Sequence, residues 1–319
     1  LEGGDSMKME ECLPVISKKK TKHQGMIYEI ACHEGKGTMT VYDVFDGVQV
    51  IYNDFHCANS PEVFSNISQK HLEINHCLHG RFECHFEDDR YGYLSEGDLG
   101  INDWSIGRIV SCFPLGYYEG VEIMIDVEKA AQSSFLKILH IDIEKLAEKV
   151  VANHKVFIMR STEQIQHIFM EMYNVSDEIF YDYLKIKVAE LLLFLQQLPF
   201  NEDKDNRHYY TSNQIQAIKY VRSFLSEHLD SKVSLHELIQ PYHVSESVFR
   251  RCFKDIYGKP VYQWHKEYRL QTSRKLLEES NHSIIEIASM VGYDNPSKFS
   301  SAFYQFFGQK PLSYRKSHH

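Results

Sequence analysis

Several marks of other protein classes are missing from this chain of 319 residues. Its seven cysteines stand at Cys12, Cys32, Cys57, Cys77, Cys84, Cys112 and Cys252, with no Cys-x-x-Cys pair. An odd, scattered set argues against a disulfide framework and against zinc-finger spacing, and for reduced thiols. The densest apolar run, Val188 to Leu195, is short and contains Glu190, so no membrane span is expected. Lys8, Glu10 and Glu11 follow Met7 where a secretory signal would be apolar, so none is expected there. Leu1 to Ser6 reads as a cloning remnant, and His318-His319 as native or part of a tag. There is no glycine loop of the phosphate-cradling kind and no Ser/His/Asp arrangement. His71, His76, His79 and His85 crowd one segment, but His76 and His79 differ by three along a strand and point to opposite faces. A metal site needs converging ligands, so neither a metal nor another cofactor is expected, and a metalloenzyme is the weakest reading.

What is present is an ordinary globular composition, 43% hydrophobic and 25% charged. The length suggests two domains. The net charge of −9 would disfavour nucleic acid, but it is unevenly spread. From Gln214 onward 15 Lys/Arg face 10 Asp/Glu, a net of +5, which leaves −14 for the rest. A basic terminal domain on an acidic body fits a DNA-binding module attached to something else.

From Met26 to Val127 the sequence has period two. Val48, Val50, Tyr52, Asp54 and His56 share one face, as do Leu72, Ile74, His76 and Leu78. Gly80 and Gly97-Asp98 punctuate these runs. Many short strands with Gly and Asp turns predict a β-sandwich or small barrel, which can hold one ligand. Helical spacing takes over after Val127. Ser161-x2-Gln164 is a candidate capping box. A long helix is predicted from Asp177 to Leu198, where Leu184, Val188, Leu191 and Leu195 form a coiled-coil-like seam. Ile179, Tyr183, Ile186 and Leu193 form a second stripe, so one side can meet the barrel and the other a partner subunit. The alternative is a helix buried inside the monomer. Asn201 to Arg207 is polar and reads as a linker.

The last third carries a degenerate repeat. Phe249-x3-Phe253-x3-Tyr257-Gly258 returns as Phe299-x3-Phe303-x3-Phe307-Gly308. Each copy follows a short amphipathic helix pattern, Leu235-x2-Leu238-Ile239 or Ile284-x2-Ile287-Ala288, and a turn. Helix, turn and a second helix opened by Ser245 or by Asn295-Pro296 is the helix-turn-helix pattern. The outward positions are Ser247, Arg250, Arg251 and Lys254 in the first copy and Ser297, Lys298 and Ser301 in the second, with Lys310 beyond it. Arg can pair with guanine O6 and N7, while Lys more often meets phosphate.

Ile287-Ala288-x3-Gly292-Tyr293, Phe299-x3-Phe303, Phe307-Gly308 and Pro311-x2-Tyr314-Arg315 resemble the signature of the AraC/XylS family over residues 214–316. The resemblance implies a bacterial transcription regulator of α+β class. A cupin-like β-barrel with dimerisation helices would precede an all-α domain with two helix-turn-helix motifs. The expected divisions are 1–25, a tag remnant and arm; 26–198, the effector-binding and dimerisation domain; 199–213, the linker; and 214–316, the DNA-binding domain. His243 stands at a turn position that favours glycine in the family, and Ser301 and Tyr304 replace residues that are often basic. Expected partners are double-stranded DNA, a second copy of the chain and a small organic effector, with RNA polymerase left open; the expected location is the cytoplasm. The effector pocket is expected on the barrel face of Val48, Val50, Ile74 and Leu78, with Tyr52, His56 and His76 as polar groups and Trp104 and Arg108 at the rim. Arg108 would favour an anion. A solidly packed barrel with satisfied histidines is the competing expectation.

Overall fold

The computed structural model describes residues 14–32, 35–58, 70–86, 89–103, 108–152, 156–199, 209–231 and 233–318. It comprises two compact units, Leu1–Tyr209 and Tyr210–His319.

The N-terminal unit is an antiparallel sheet domain with helices. Its strands are β1 (Val15–Lys20), β2 (Met26–Ala31), β3 (Gly35–Phe45), β4 (Val48–Cys57), β5 (His71–Phe86), β6 (Arg90–Ser95), β7 (Asp98–Asp103), β8 (Arg108–Cys112), β9 (Tyr118–Asp126) and β10 (Val156–Arg160). The order β1-β2-β3-β4-β9-β5 runs through antiparallel pairs. The long strand β5 then changes partners. Its first half lies between β9 and β7, and its second half pairs with β6 and β8. The register slips between Cys77 and His79. Gly80 follows at φ 85°, and a Cβ there would lie 2.3 Å from the Tyr117 carbonyl oxygen, so only glycine fits. This bulge also breaks the alternation that the sequence carries across Leu78.

Two apolar cores lie on the two faces of the sheet. One joins Val48, Val50, Ile74, Val121 and Ile123 to the helices that follow β9. The other gathers Ile51, Phe55, Met124, Phe82, Cys84, Phe86 and Leu94. The face expected to line the barrel interior is therefore the face covered by helices. Period two separates the faces without saying which is inside, because both are apolar.

Those helices are α1 (Val127–Ala130), α2 (Ser134–Ile138), α3 (Ile143–Ala152), α4 (Glu163–Tyr173) and α5 (Phe180–Gln197). Thr162, not Ser161, caps α4; its hydroxyl accepts from the Ile165 amide at 3.3 Å. On α5 the seam of Leu184, Val188, Leu191 and Leu195 is fully buried within its own unit, in the same core as α4 and the sheet. The expectation that these four residues meet a partner is corrected: they are core residues. The outward stripe is the second one, with Ile186 56% and Leu193 40% exposed, and with Ile179 exposed just before the helix.

The C-terminal unit is all-helical: α6 (Ser212–Glu227), α7 (Leu235–Ile239) with a 3-10 turn at Gln240–Tyr242, α8 (Glu246–Tyr257), α9 (Val261–Glu279), α10 (Ile284–Met290), α11 (Pro296–Phe307) and α12 (Pro311–His318). Three of these helices open with reciprocal capping boxes, Thr211/Gln214 on α6, Ser234/Glu237 on α7 and Ser283/Glu286 on α10. Each box satisfies amides that a helix start leaves without partners.

Candidate nucleic-acid interface

The C-terminal unit is built twice on one scaffold. Phe253, Tyr257 and Trp264 pack in tilted and edge-on pairs with centroid separations of 4.6, 5.8 and 6.1 Å. Phe303, Phe307 and Tyr314, each fifty positions later, repeat this at 4.5, 5.7 and 6.1 Å. Phe249–Phe253 and Phe299–Phe303 are both 5.7 Å apart. The Arg222 guanidinium lies 5.7 Å from the Tyr257 ring, and that of Arg274 lies 5.7 Å from Phe307. The repeat thus includes α6 and α9, each supplying one cation over the aromatic group. Arg222 and Arg274 escape sequence reading because they are fifty-two positions apart, outside the frame of the helix-turn-helix repeat.

The two turns differ. His243 and Gly292 are both left-handed, at φ 54° and 75°. One residue separates His243 from the N-cap Ser245, and two separate Gly292 from the N-cap Asn295. A Cβ on Gly292 would lie 2.3 Å from the Leu229 carbonyl oxygen, so the close backbone requires glycine there. The His243 side chain is exposed and needs no such room.

On α8 the buried side is Phe249, Cys252, Phe253, Ile256 and Tyr257. Ser247, Arg251 and Lys254 are exposed at spacings of four and three, which places them on one outward stripe. Arg250 lies to the side. Its Nε donates to Glu246 Oε1 at 2.9 Å, and a terminal nitrogen also pairs with Glu246. The guanidinium sits 4.7 Å from the Tyr262 ring centroid and donates to its hydroxyl at 3.3 Å. The Glu246 carboxylate raises the Arg250 pKa above its ordinary value, and most of its donor fork is engaged. On α11, Ser297, Lys298 and Ser301 are exposed, and Lys310 is exposed before α12. All eight predicted DNA-facing residues lie in this unit. Tyr304, which stands where the family often has a basic residue and is not among the eight, is 54% exposed on the same stripe as Ser297 and Ser301.

The predicted effector residues that are described, Tyr52, His56 and His76, are each engaged by a different partner. Tyr52 donates its hydroxyl to the Met172 carbonyl at 2.8 Å. His76 is fully buried, stacked 4.3 Å from Phe169, with Nε2 3.0 Å from Gln166 Oε1. Gln166 Oε1 can only accept, which makes Nε2 the donor. Burial lowers the His76 pKa against the opposing effect of Gln166, so the ring is neutral near pH 7. Tyr52 and His76 both flank Val121 in register and serve the contact between sheet and α4. His56 is exposed and lies 3.1 Å from Asp54. Trp104 and the Arg108 side chain lie outside the described residues. On the opposite face Asn53, Glu73, Asn75 and Tyr118 are buried. Tyr118 donates to Asn75 Oδ1 at 2.5 Å and Asn53 Nδ2 to Glu122 at 3.1 Å, while Asn53 Oδ1 meets no partner among the described residues. Among the described residues no group of three or more His, Cys, Asp or Glu could hold a metal, and no helix is long and apolar enough to cross a membrane.

Residues 238–317 match the family model of a helix-turn-helix domain. The chain is 30% identical over 93 residues to an uncharacterized HTH-type transcriptional regulator, YisR, of Bacillus subtilis, covering 29% of this chain and 32% of YisR. It is 25% identical over 293 residues to the regulatory protein PocR of Salmonella typhimurium, covering 85% of this chain and 89% of PocR. The alignments to YisR, LumQ and YdeC span about a third of the length of those proteins. Among solved structures, the DNA-binding domain of AdpA in complex with a target DNA is 26% identical at a TM-score of 0.30, covering 32% of this chain and 92% of that one. ToxT from Vibrio cholerae is 12% identical at a TM-score of 0.31, covering 85% of this chain and 97% of that one.

Proposed function

We propose that this chain, whose C-terminal unit is a tandem helix-turn-helix domain of the AraC/XylS type, is a transcription regulator of the cytoplasm and not an enzyme. The observation that carries the reading is the duplicated aromatic scaffold, which presents two helices at equivalent places, the first with an exposed basic stripe and the second with an exposed polar one. Two such helices address successive major grooves, about 34 Å apart on one face of DNA. Arg251, not the engaged Arg250, is the base reader of the first motif, and Lys254 meets phosphate. Arg251→Ala should weaken the preferred site by about 1–3 kcal/mol and relax one base pair, whereas Lys254→Ala should weaken all sequences alike and lower the salt slope by about one. Footprinting and titration across salt concentrations measure both. Protection of a single groove, or an Arg251→Ala variant that binds like wild type, would sink the reading.

A second copy is the partner for the outward stripe of α5. Ile179, Ile186 and Leu193 recur at steps of seven, the interval that keeps a helix seam facing its copy. RNA polymerase is the further partner that a transcription regulator would meet. A small effector is assigned to the face of the sheet that carries Asn53, because Asn53 Oδ1 is buried without a donor among the described residues and a ligand donor would satisfy it. A matching metabolite at 100 times its Kd should stabilise the full chain by about 2.7 kcal/mol. A thermal-shift screen reads this, and an Asn53→Leu variant that responds equally would place the ligand elsewhere.

A further inference from the structure

The two recognition helices share a scaffold but not a reading surface. Because the aromatic groups coincide at an offset of fifty, outward positions correspond one to one: Ser247 with Ser297, Arg251 with Ser301, Lys254 with Tyr304. The first stripe carries two cations and the second carries none. All six residues are exposed, so neither stripe is occupied by packing. Lys298 and Lys310 remain as cations of the second motif, but they lie off this stripe.

The chemistry of the major groove separates these surfaces. Guanine offers two acceptors, O6 and N7, to a forked donor such as Arg251. A serine hydroxyl gives a single hydrogen bond and accepts either base pair, so Ser301 cannot select guanine this way. Thymine offers a methyl group to apolar side chains, and the Tyr304 ring is the one large apolar surface on the second stripe. We propose that the chain recognises an asymmetric site. The groove met by the first motif requires guanine opposite Arg251, and the groove met by the second is rich in A·T, with a thymine methyl against Tyr304. This rests on the DNA-binding reading above and adds the base composition of each half and its polarity. The chain then binds its site in one orientation only, because the halves cannot exchange places.

The test is selection by the full-length protein from a pool of random duplexes, followed by sequencing. The expected result is two blocks about one helical turn apart, one with an obligatory guanine and one rich in A·T. Arg251→Ser should remove the guanine requirement from the first block and leave the second unchanged. Ser301→Arg with Tyr304→Lys should bring a guanine preference of roughly tenfold or more into the second block. Both sites are exposed, and a thermal melt confirms that the variant is folded. Two blocks with equal guanine demand overturn the proposal, as does a folded, DNA-binding double variant whose second block is unchanged. Recovery of no preferred duplex overturns the DNA-binding reading with it, so the two failures are distinguishable.

Discussion

Leu191→Glu and Leu195→Glu will unfold the N-terminal unit instead of separating two subunits. Both leucines are fully buried in the core that joins α5 to α4 and the sheet. Loss of a buried leucine alone typically removes about 2–5 kcal/mol. A carboxylate in its place adds the cost of burying a polar group without a partner. For either variant the sum approaches the whole stability of an ordinary domain, about 5–15 kcal/mol. The contrast is Ile186→Glu with Leu193→Glu, on the exposed stripe of the same helix. That double variant should keep the wild-type melting temperature and sediment as a monomer. Sedimentation and thermal melts on both pairs decide the matter. A folded, monomeric Leu191→Glu protein would restore the original seam as the interface. A wild type that is monomeric at micromolar concentration would remove the interface altogether.

The reversal of that helix shows where sequence reading stops. Both stripes of α5 are apolar, and spacing alone cannot say which one the rest of the chain covers. The same ambiguity reversed the sheet. Val48, Val50 and Ile74 alternate correctly, yet they face the helices, while Ile51, Phe55 and Met124 face the other core. Tyr52 and His76 were legible as polar groups on an apolar face. Their role was not, because it depends on the Met172 carbonyl and on Gln166, about a hundred residues away. The helix-turn-helix pair was far more legible. Its caps, turns and aromatic anchors are local in sequence, so Ser245, Gly258, Asn295-Pro296 and Gly308 stand where the pattern puts the helix ends. Within it the engagement of Arg250 was hidden, although Glu246 stands four residues earlier, the spacing at which such pairs form on a helix.

Phe253→Ala and Phe303→Ala should destabilise the C-terminal unit by similar amounts, each about 3–5 kcal/mol. Both rings are fully buried. Each touches three aromatic neighbours at nearly the same distances, Phe249, Tyr257 and Trp264 around Phe253, and Phe299, Phe307 and Tyr314 around Phe303. Each aromatic pair adds about 0.5–1.5 kcal/mol beyond the area buried, so truncation removes packing and ring contacts together. The halves also share α9. Its first turns carry Trp264, which packs edge-on against Phe253 of the first motif, and its later residues Leu270 and Leu277 enter the core of the second. Loss at either phenylalanine should therefore weaken protection of both major grooves, including the one whose own recognition helix is untouched. Urea unfolding of the full chain measures the stability change, and footprinting measures the coupling. A Phe303→Ala protein that loses less than about 1 kcal/mol, or that still protects the first groove like wild type, would mean the halves fold and bind independently. The shared helix would then be a tether between two modules and not a common core.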